Sequence, residues 1–528
     1  MRAIGSESSS IECYEPATLA QLGTVPVDDR AAVRAAIDAS RQAQRAFGAA
    51  PVRARLRVLE RVMAHLVKHA DELCEVVARD AGKTLEHAMM GEIWPVCEKL
   101  RWTIANAEAV LADESVSSGL LVQKRGAICY PPRGVIGVIC PWNYPLQNVM
   151  GPTISALAAG NGAVIKVSEW VAWSSARFQR IFDEALVAEG FDPALVRLVN
   201  GYGETGAAVV SEGVDMVVFT GSLPNGRRVA HGAADAMIPC ILELGGKDPF
   251  LVCEDADLDR ALHALLVGVF VNAGQNCLSS ERILVHAAVF DRFRDRVVEA
   301  VQALRCGPPL GGGRPDVGAI ISPLQLDLIA ALVDDAVADG ARALVGGRRL
   351  HEGQGQFYAP TVLTDVTPQM RIWREETFGP VVVLTKVDDD EQAVALANGT
   401  SFGLGSTIMS RDAARARRLA DRMQAGSALI NDFGMAYMVQ DLPFGGVKAS
   451  GHGRLNGRDG LRAMCASKAV LEDRLPFQQP AKVFPVGPND YATYRAAIRT
   501  VYGKGVKGKV SGVGELLRAV RGAGAERE

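Results

Sequence analysis

Three side chains stand where chemistry is possible: Cys277 in "VNAGQNCLSSER", Asn143 in "CPWNYP" and Glu243 in "LELGGK". Gly274 and Gln275 precede Asn276 and Cys277, so a turn there presents a thiol together with its own backbone N–H. A thiolate attacks carbonyl carbon, and free cysteine is only partly ionised at neutral pH. Asn143 lies between two prolines after an apolar run, which fixes its backbone. Its carboxamide and a backbone N–H converging on one oxygen would form an oxyanion hole. Glu243 follows an apolar run and precedes two glycines, where burial would raise its pKa and fit it to take a proton from water. Each residue also has a plain alternative: a packed cysteine, a turn asparagine, an exposed strand-end glutamate.

Two other chemistries find less support. A cysteine hydrolase needs a base, usually histidine, turned against the thiol. The eight histidines (65, 69, 87, 231, 263, 286, 351, 452) offer no such local context, no H-E-x-x-H and no His/Cys cluster. His65 and His69 share a helical face without a third ligand nearby, so no metal is expected.

Composition sets the frame. A chain of 528 residues with 48% hydrophobic and 22% charged side chains reads as two to four folding units with sizeable cores. A formal charge of -3 argues against a nucleic-acid partner. Ten cysteines scattered singly suit free thiols in a reducing compartment, the cytoplasm. The first residues are polar, and the longest apolar stretch, Ala261 to Val271, is too short to cross a bilayer.

The elements that must hold the three side chains follow from periodicity. Residues 29–110 carry apolar positions at helical spacing. Residues 119–140 change to short β-prone runs split by Gly and Pro. From there apolar strands such as "GAVIKVSE", "LVRLVNGYG", "VDMVVFTGS" and "PCILELGG" alternate with helices, as in an α/β domain with a largely parallel sheet. A second α/β cycle opens near Gly245 to Lys247 and ends near "SALINDF". Residues 475–528 read as an ordered edge ending in a loose basic tail.

"PWNYP", "IKVSE", "FTGS", "LELGGK", "GQNC", "EETFGPV" and "LPFGGVKASGHGR" occur in that order, and with them the chain resembles the NAD(P)-dependent aldehyde dehydrogenase superfamily over residues 12–475. The resemblance implies a modified Rossmann NAD-binding domain, a second α/β catalytic domain and a β bridging arm. The implied boundaries are an N-terminal helical part at 1–118, a first arm segment at 119–138 and the Rossmann-like part at 139–246. The catalytic domain follows at 247–440, a return segment at 441–461, an oligomerisation strand at 462–474 and an extension at 475–528. Cys277 then matches the nucleophile, Asn143 the oxyanion amide and Glu243 the general base. Lys166 and Glu169 match the adenosine-ribose pair, Gly221 and Ser222 the helix start beside the pyrophosphate, and Trp142 the same cofactor wall. Glu376 and Phe378 match the residues that position the nicotinamide ribose and ring. Tyr144, Gly151, Met435, Tyr437 and Met438 line the aldehyde side in the family's layout.

The implied reaction is oxidation of an aldehyde to a carboxylic acid through a cysteine thioester. The cofactor is NAD, with NADP possible, and the substrate an apolar aliphatic or aromatic aldehyde. A coenzyme A-acylating variant is the alternative, although such members commonly lack the glutamate matching Glu243. A homodimer or homotetramer is implied. "CYEPATL", "KVSE" and "GRLNGRDGLRA" resemble a plant and fungal branch more narrowly; some of its members carry an N-terminal membrane segment, which does not transfer to this polar N-terminus. "GYGETG" (Gly201, Gly203, Gly206) also satisfies G-x-G-x-x-G literally, but no acid follows at the ribose-binding distance; the resemblance places ribose binding at Glu169 instead.

Overall fold

Val135–Ile139, Gly162–Lys166 and Asp248–Val252 are buried along their whole length in the computed structural model. Only strands covered on both faces read as unbroken apolar runs, so each belongs to a parallel sheet between helices. The structure describes residues 9–350, 353–475 and 484–525. The start of the polar N-terminus, His351 and residues 476–483 of the extension lie outside the described residues.

Two compact units emerge: residues up to Asp113 with Cys129–Lys468, and Glu114–Ile128 with residues from Ala469 on. The larger unit is built around two large sheets. In the first, the five parallel strands stand in the order Cys240–Glu243, Met216–Thr220, Val135–Ile139, Gly162–Lys166, Val196–Val199. Numbered along the chain this is the 3-2-1-4-5 order of a Rossmann-like fold, and a crevice opens where the order reverses, beyond Ile139 and Thr220. Gly451–His452 adds an antiparallel strand beside Cys240–Glu243, bringing the late glycine-rich segment back to this sheet. The second sheet runs Arg342–Val345, Thr361–Thr364, Val381–Val387, Ser280–His286, Asp248–Val252, Thr407–Met409, Leu429–Ile430. Only Arg342–Val345 is antiparallel to its neighbour.

Three expectations need correction. The N-terminal part is not wholly helical, because Ser10–Tyr14 and Gln21–Pro26 form an antiparallel hairpin. The first arm segment is displaced: Glu114–Val116 and Lys124–Cys129 share a three-stranded sheet with Lys468–Asp473, whereas Val135–Ile139 lies within the Rossmann-like sheet. The basic tail is not loose. It forms helices at Asp490–Tyr502 and Gly505–Ala525, whose many glycines had lowered the expected helix propensity.

Among the described residues, no helix is long and apolar enough to cross a membrane. Nor is any group of three His, Cys, Asp or Glu side chains placed to hold a metal ion.

Candidate active site

Cys277 follows a run of backbone that ordinary residues avoid. The helix Leu258–Phe270 gives way to Asn272, Ala273 and Gly274 with φ of 53°, 56° and 74°. Two non-glycine residues in this region store strain of roughly 1–3 kcal/mol each. Buried amides hold them there. Asn272 Nδ2 donates to Gln275 O at 3.0 Å and to Asn143 O at 2.9 Å. Gln275 Nε2 donates to Ala319 O at 3.1 Å, and its Oε1 accepts from Ile321 N at 2.9 Å. A Cβ on Gly274 would collide with the Gly379 carbonyl, so glycine is required. The strand Ser280–His286 begins just beyond, leaving Cys277 half-buried between a strained turn and a rigid sheet.

The thiol is surrounded by carboxylates. Burial pushes its pKa up, and Glu376, Glu243 and Asp248 push it further in the same direction. Cys277 therefore holds its proton at rest and needs a base to become nucleophilic.

Glu243 ends its strand at 3% exposure, and neither carboxylate oxygen has a hydrogen-bond partner among the described residues. Burial raises its pKa well above the ordinary value, against the opposing charge of Arg454. The packing leaves no room to spare, since a Cβ on Gly445 would stand 2.8 Å from Glu243 Oε1. A buried carboxyl group without partners is expensive to keep, and such groups concentrate where proton transfer occurs.

Asn143 is joined directly to the cysteine turn. Its Nδ2 donates to Gln275 O at 3.2 Å, which leaves a second amide hydrogen, and its Oδ1 accepts from Asn148 Nδ2 at 3.3 Å. Its carbonyl also accepts from Lys83 Nζ at 2.7 Å. Lys83 is fully buried, pairs with Glu92 at 2.6 Å and lies 4.0 Å above the Tyr144 ring. Glu92 in turn accepts from Gln147 N at 2.8 Å. His87, its pKa depressed to about 4 by burial and by Lys83, accepts from Asn272 N through Nδ1 at 3.2 Å. Lys83, Glu92, His87 and Asn272 have no local signal in the sequence, because each acts on atoms of a distant stretch, Lys83 and Asn272 on Asn143 O, Glu92 on Gln147 N and His87 on Asn272 N. Gln275 stands out in the sequence only as a turn residue.

The residues assigned to a dinucleotide fall into two groups. Lys166 ends a strand, and its Nζ stands 3.2 Å from Glu169 Oε2 at the start of a 3₁₀ turn. Gly221 and Ser222 follow the strand on the other side of the crevice. Ser222 precedes the helix Leu223–Asp235 and makes no side-chain cap, leaving first-turn N–H groups for an anion. A Cβ on Gly221 would come 2.7 Å from the Phe219 ring. Nearer the thiol, Trp142 and Phe378 meet edge to face with centroids 5.3 Å apart. Glu376 accepts from Gly246 N at 3.0 Å, and a Cβ on Gly245 would occupy the place of its carboxylate. Burial lifts Glu376 to about 8, with Glu281 adding to the rise. Glu281 positions this loop, another contribution unseen in the sequence: it accepts from Thr377 N at 2.7 Å and Phe378 N at 3.0 Å while paired with buried Lys247. The literal G-x-G-x-x-G follows the edge strand Val196–Val199, away from the crevice, and Thr205 Oγ1 donates to Asp28 O there at 2.9 Å.

Of the residues expected on the substrate side, Tyr144 precedes the helix Pro145–Ala159, which carries Gly151. A Cβ on Gly151 would meet only Gln147 Nε2, at 3.8 Å. The Gln147 amide also contacts the Tyr437 hydroxyl, and Tyr437 packs edge to face on Phe444 at 4.9 Å. The tyrosine's pKa is raised by burial, then by Cys277, Glu243 and Glu92, so these groups share one neighbourhood. Of the other two candidates, Met438 is half-buried, whereas Met435 stands 47% exposed and lies at the rim.

A cysteine, an amide and a buried carboxyl share one neighbourhood beside the crevice of a Rossmann-like sheet, the setting of an oxidoreductase. The model of the aldehyde dehydrogenase family matches residues 4–470. An aldehyde dehydrogenase-like protein of Schizosaccharomyces pombe is 36% identical over 94% of this chain and 97% of its own. The 4,4'-diapolycopene aldehyde oxidase of a Methylomonas species is 35% identical over 94% of this chain and 92% of its own. Among solved structures, the NAD+ complex of a Bacillus cereus aldehyde dehydrogenase superposes with a TM-score of 0.84 at 30% identity, covering 88% of this chain and 94% of that one. The chain belongs to the aldehyde dehydrogenase family, whose members carry out NAD(P)-dependent aldehyde oxidation.

Proposed function

We propose that this protein oxidises an apolar aldehyde to the free carboxylic acid, with Cys277 as nucleophile, Asn143 as oxyanion donor and Glu243 as general base. The observation that carries this reading is the buried, partnerless carboxyl of Glu243 in electrostatic contact with the Cys277 thiol. Lys166, Glu169, Gly221 and Ser222 fit the adenosine and pyrophosphate end of a dinucleotide, since they offer a carboxylate and an open helix start across one crevice. Trp142, Glu376 and Phe378 fit the nicotinamide end. The bound dinucleotide supplies the hydride acceptor.

The chain's own residues do the rest. Cys277 passes its proton to solvent water, and its sulfur adds to the aldehyde carbon. The carbonyl oxygen becomes an alkoxide held by Asn143 Nδ2–H and the Cys277 backbone N–H. Loss of hydride from that carbon leaves a thioester on Cys277. Glu243 then takes a proton from water, the hydroxide adds to the thioester, and the returning carbonyl expels the Cys277 thiolate with the carboxylic acid released.

Glu169 supports NAD over NADP, because a carboxylate facing the ribose repels a 2'-phosphate. Lys166, adjacent to it, offsets part of that repulsion. The open space at Gly151 and the aromatic pair Tyr437 and Phe444 support an apolar substrate. The Methylomonas relative, named for diapolycopene aldehyde, and the fungal relative support the substrate class and the plant and fungal branch respectively. Exposed Leu120, Leu121, Val122 and Leu471 in the smaller unit support a homodimer or homotetramer, which light scattering tests.

The activity test follows the absorbance of the reduced cofactor across straight-chain, aromatic and carboxylated aldehydes with NAD or NADP. Turnover without added thiol, fastest on the apolar aldehydes with NAD, is the expected result. An absolute need for coenzyme A, or best activity on succinic semialdehyde, contradicts it.

A further inference from the structure

The helices Asp490–Tyr502 and Gly505–Ala525 pack through their smallest residues. Ala496 is fully buried, and a Cβ on Gly512 would come 2.5 Å from Thr500 N. Arg499 closes the seam with Glu515 at 2.8 Å. Small residues inside leave the large apolar ones outside. On the second helix Val506, Val510, Val513 and Leu517 recur at spacings of four, three and four, which is one face of a helix. They are 79%, 63%, 43% and 55% exposed. On the first helix Tyr491, Ile498 and Tyr502 share a face in the same way and are at least as open as Leu517.

Charge says what this surface suits. Residues 490–525 hold seven Lys and Arg against two acids, Asp490 and Glu515, in a chain whose formal charge is -3. Lys507 and Lys509 flank the valine stripe, while Glu515 is turned to the helix seam. An apolar stripe bordered by lysines, on a helix unable to span a bilayer, fits the plane of an acidic lipid surface: the stripe enters the acyl boundary and the lysines reach headgroups.

We propose that this helical pair is a docking element for anionic membrane surfaces. The proposal goes beyond the aldehyde reading and stands independently of it.

The test is co-sedimentation of the full chain with vesicles of phosphatidylcholine alone or with about one-third phosphatidylserine. Binding to the acidic vesicles only, weakened by high salt, is expected. Lys507→Gln with Lys509→Gln should weaken it roughly thirtyfold, at about fivefold for each charge near such a surface. Val510→Asp with Leu517→Asp should abolish it, with helicity by circular dichroism and aldehyde oxidation in buffer unchanged. Equal binding to both vesicle types, or none, overturns the proposal. So does a lipid-free oligomer that Val510→Asp dissociates, which would assign the stripe to a second copy of this chain.

Discussion

Burial and the carboxyl groups of Glu376, Glu243 and Asp248 all oppose a thiolate at Cys277, so in the proposed reaction proton removal is a step rather than a starting condition. The same burial holds the pKa of Glu243 well above the ordinary carboxyl value, which suits it to accept a proton. Thioester hydrolysis needs Glu243 ionised, so its rate should climb as pH rises through the raised pKa of this group, and Glu243→Gln should remove that limb. Single-turnover hydrolysis across a pH series measures it; an unchanged profile in the variant would assign the base elsewhere. Asn143 spends one amide hydrogen on Gln275 O, which leaves the other for the proposed oxyanion. Asn143→Ala should lower kcat by about 10²–10³-fold with a much smaller change in cofactor affinity, read from steady-state kinetics and NAD(P) titration.

The elements that aim these side chains rest on buried pairs. Lys83 and Glu92 join the first helices of the chain to the Asn143 carbonyl and the Gln147 amide. Removing one partner strands a buried charge, so Lys83→Met should destabilise the protein by roughly 3–5 kcal/mol in denaturant unfolding. Lys83→Met with Glu92→Met should recover much of that loss if the stranded charge is the cause. The trio stands out as candidates in the sequence because each member sits in a short punctuated motif: proline around Asn143, glycine after Glu243, a glycine and amides before Cys277. Lys83 was not, because it lies 60 positions from the carbonyl it holds, nor was Glu281, 96 positions from Thr377. Single-sequence periodicity reports which face of an element is buried, not which distant atom it meets. The same limit explains the N-terminal hairpin, whose short strands carry too few alternating residues to register, and the C-terminal helices, where glycine disguised a regular valine spacing.

At the scale of the whole molecule, sheet order explains how residues as far apart in sequence as Trp142 and Phe378 come together. The strand reversal opens a crevice between the ends of Val135–Ile139 and Met216–Thr220, and Asn143 and Ser222 follow those two strands. Burying carboxyl groups in this framework has a thermodynamic cost that depends on pH. Asp80 and Asp248, both fully enclosed, are lifted by burial to about 7. Their folded pKa exceeds the unfolded value of about 4, so the folded state binds these protons more tightly. The stabilisation is complete below about pH 4 and is lost as pH rises through 7, with a bound of roughly 4 kcal/mol for each group. Melting temperature should therefore fall between pH 5 and about pH 8, and Asp80→Asn should flatten that fall; a rising profile that the variant leaves intact would contradict the assignment. The most direct test of the central claim weighs the enzyme in the act. Glu243→Gln, mixed with NAD and an apolar aldehyde and quenched, should gain the mass of one acyl group on the peptide bearing Cys277, with one reduced cofactor formed per chain. Undiminished aldehyde oxidation by Cys277→Ala, or reduced cofactor produced with no adduct on that peptide, would contradict it.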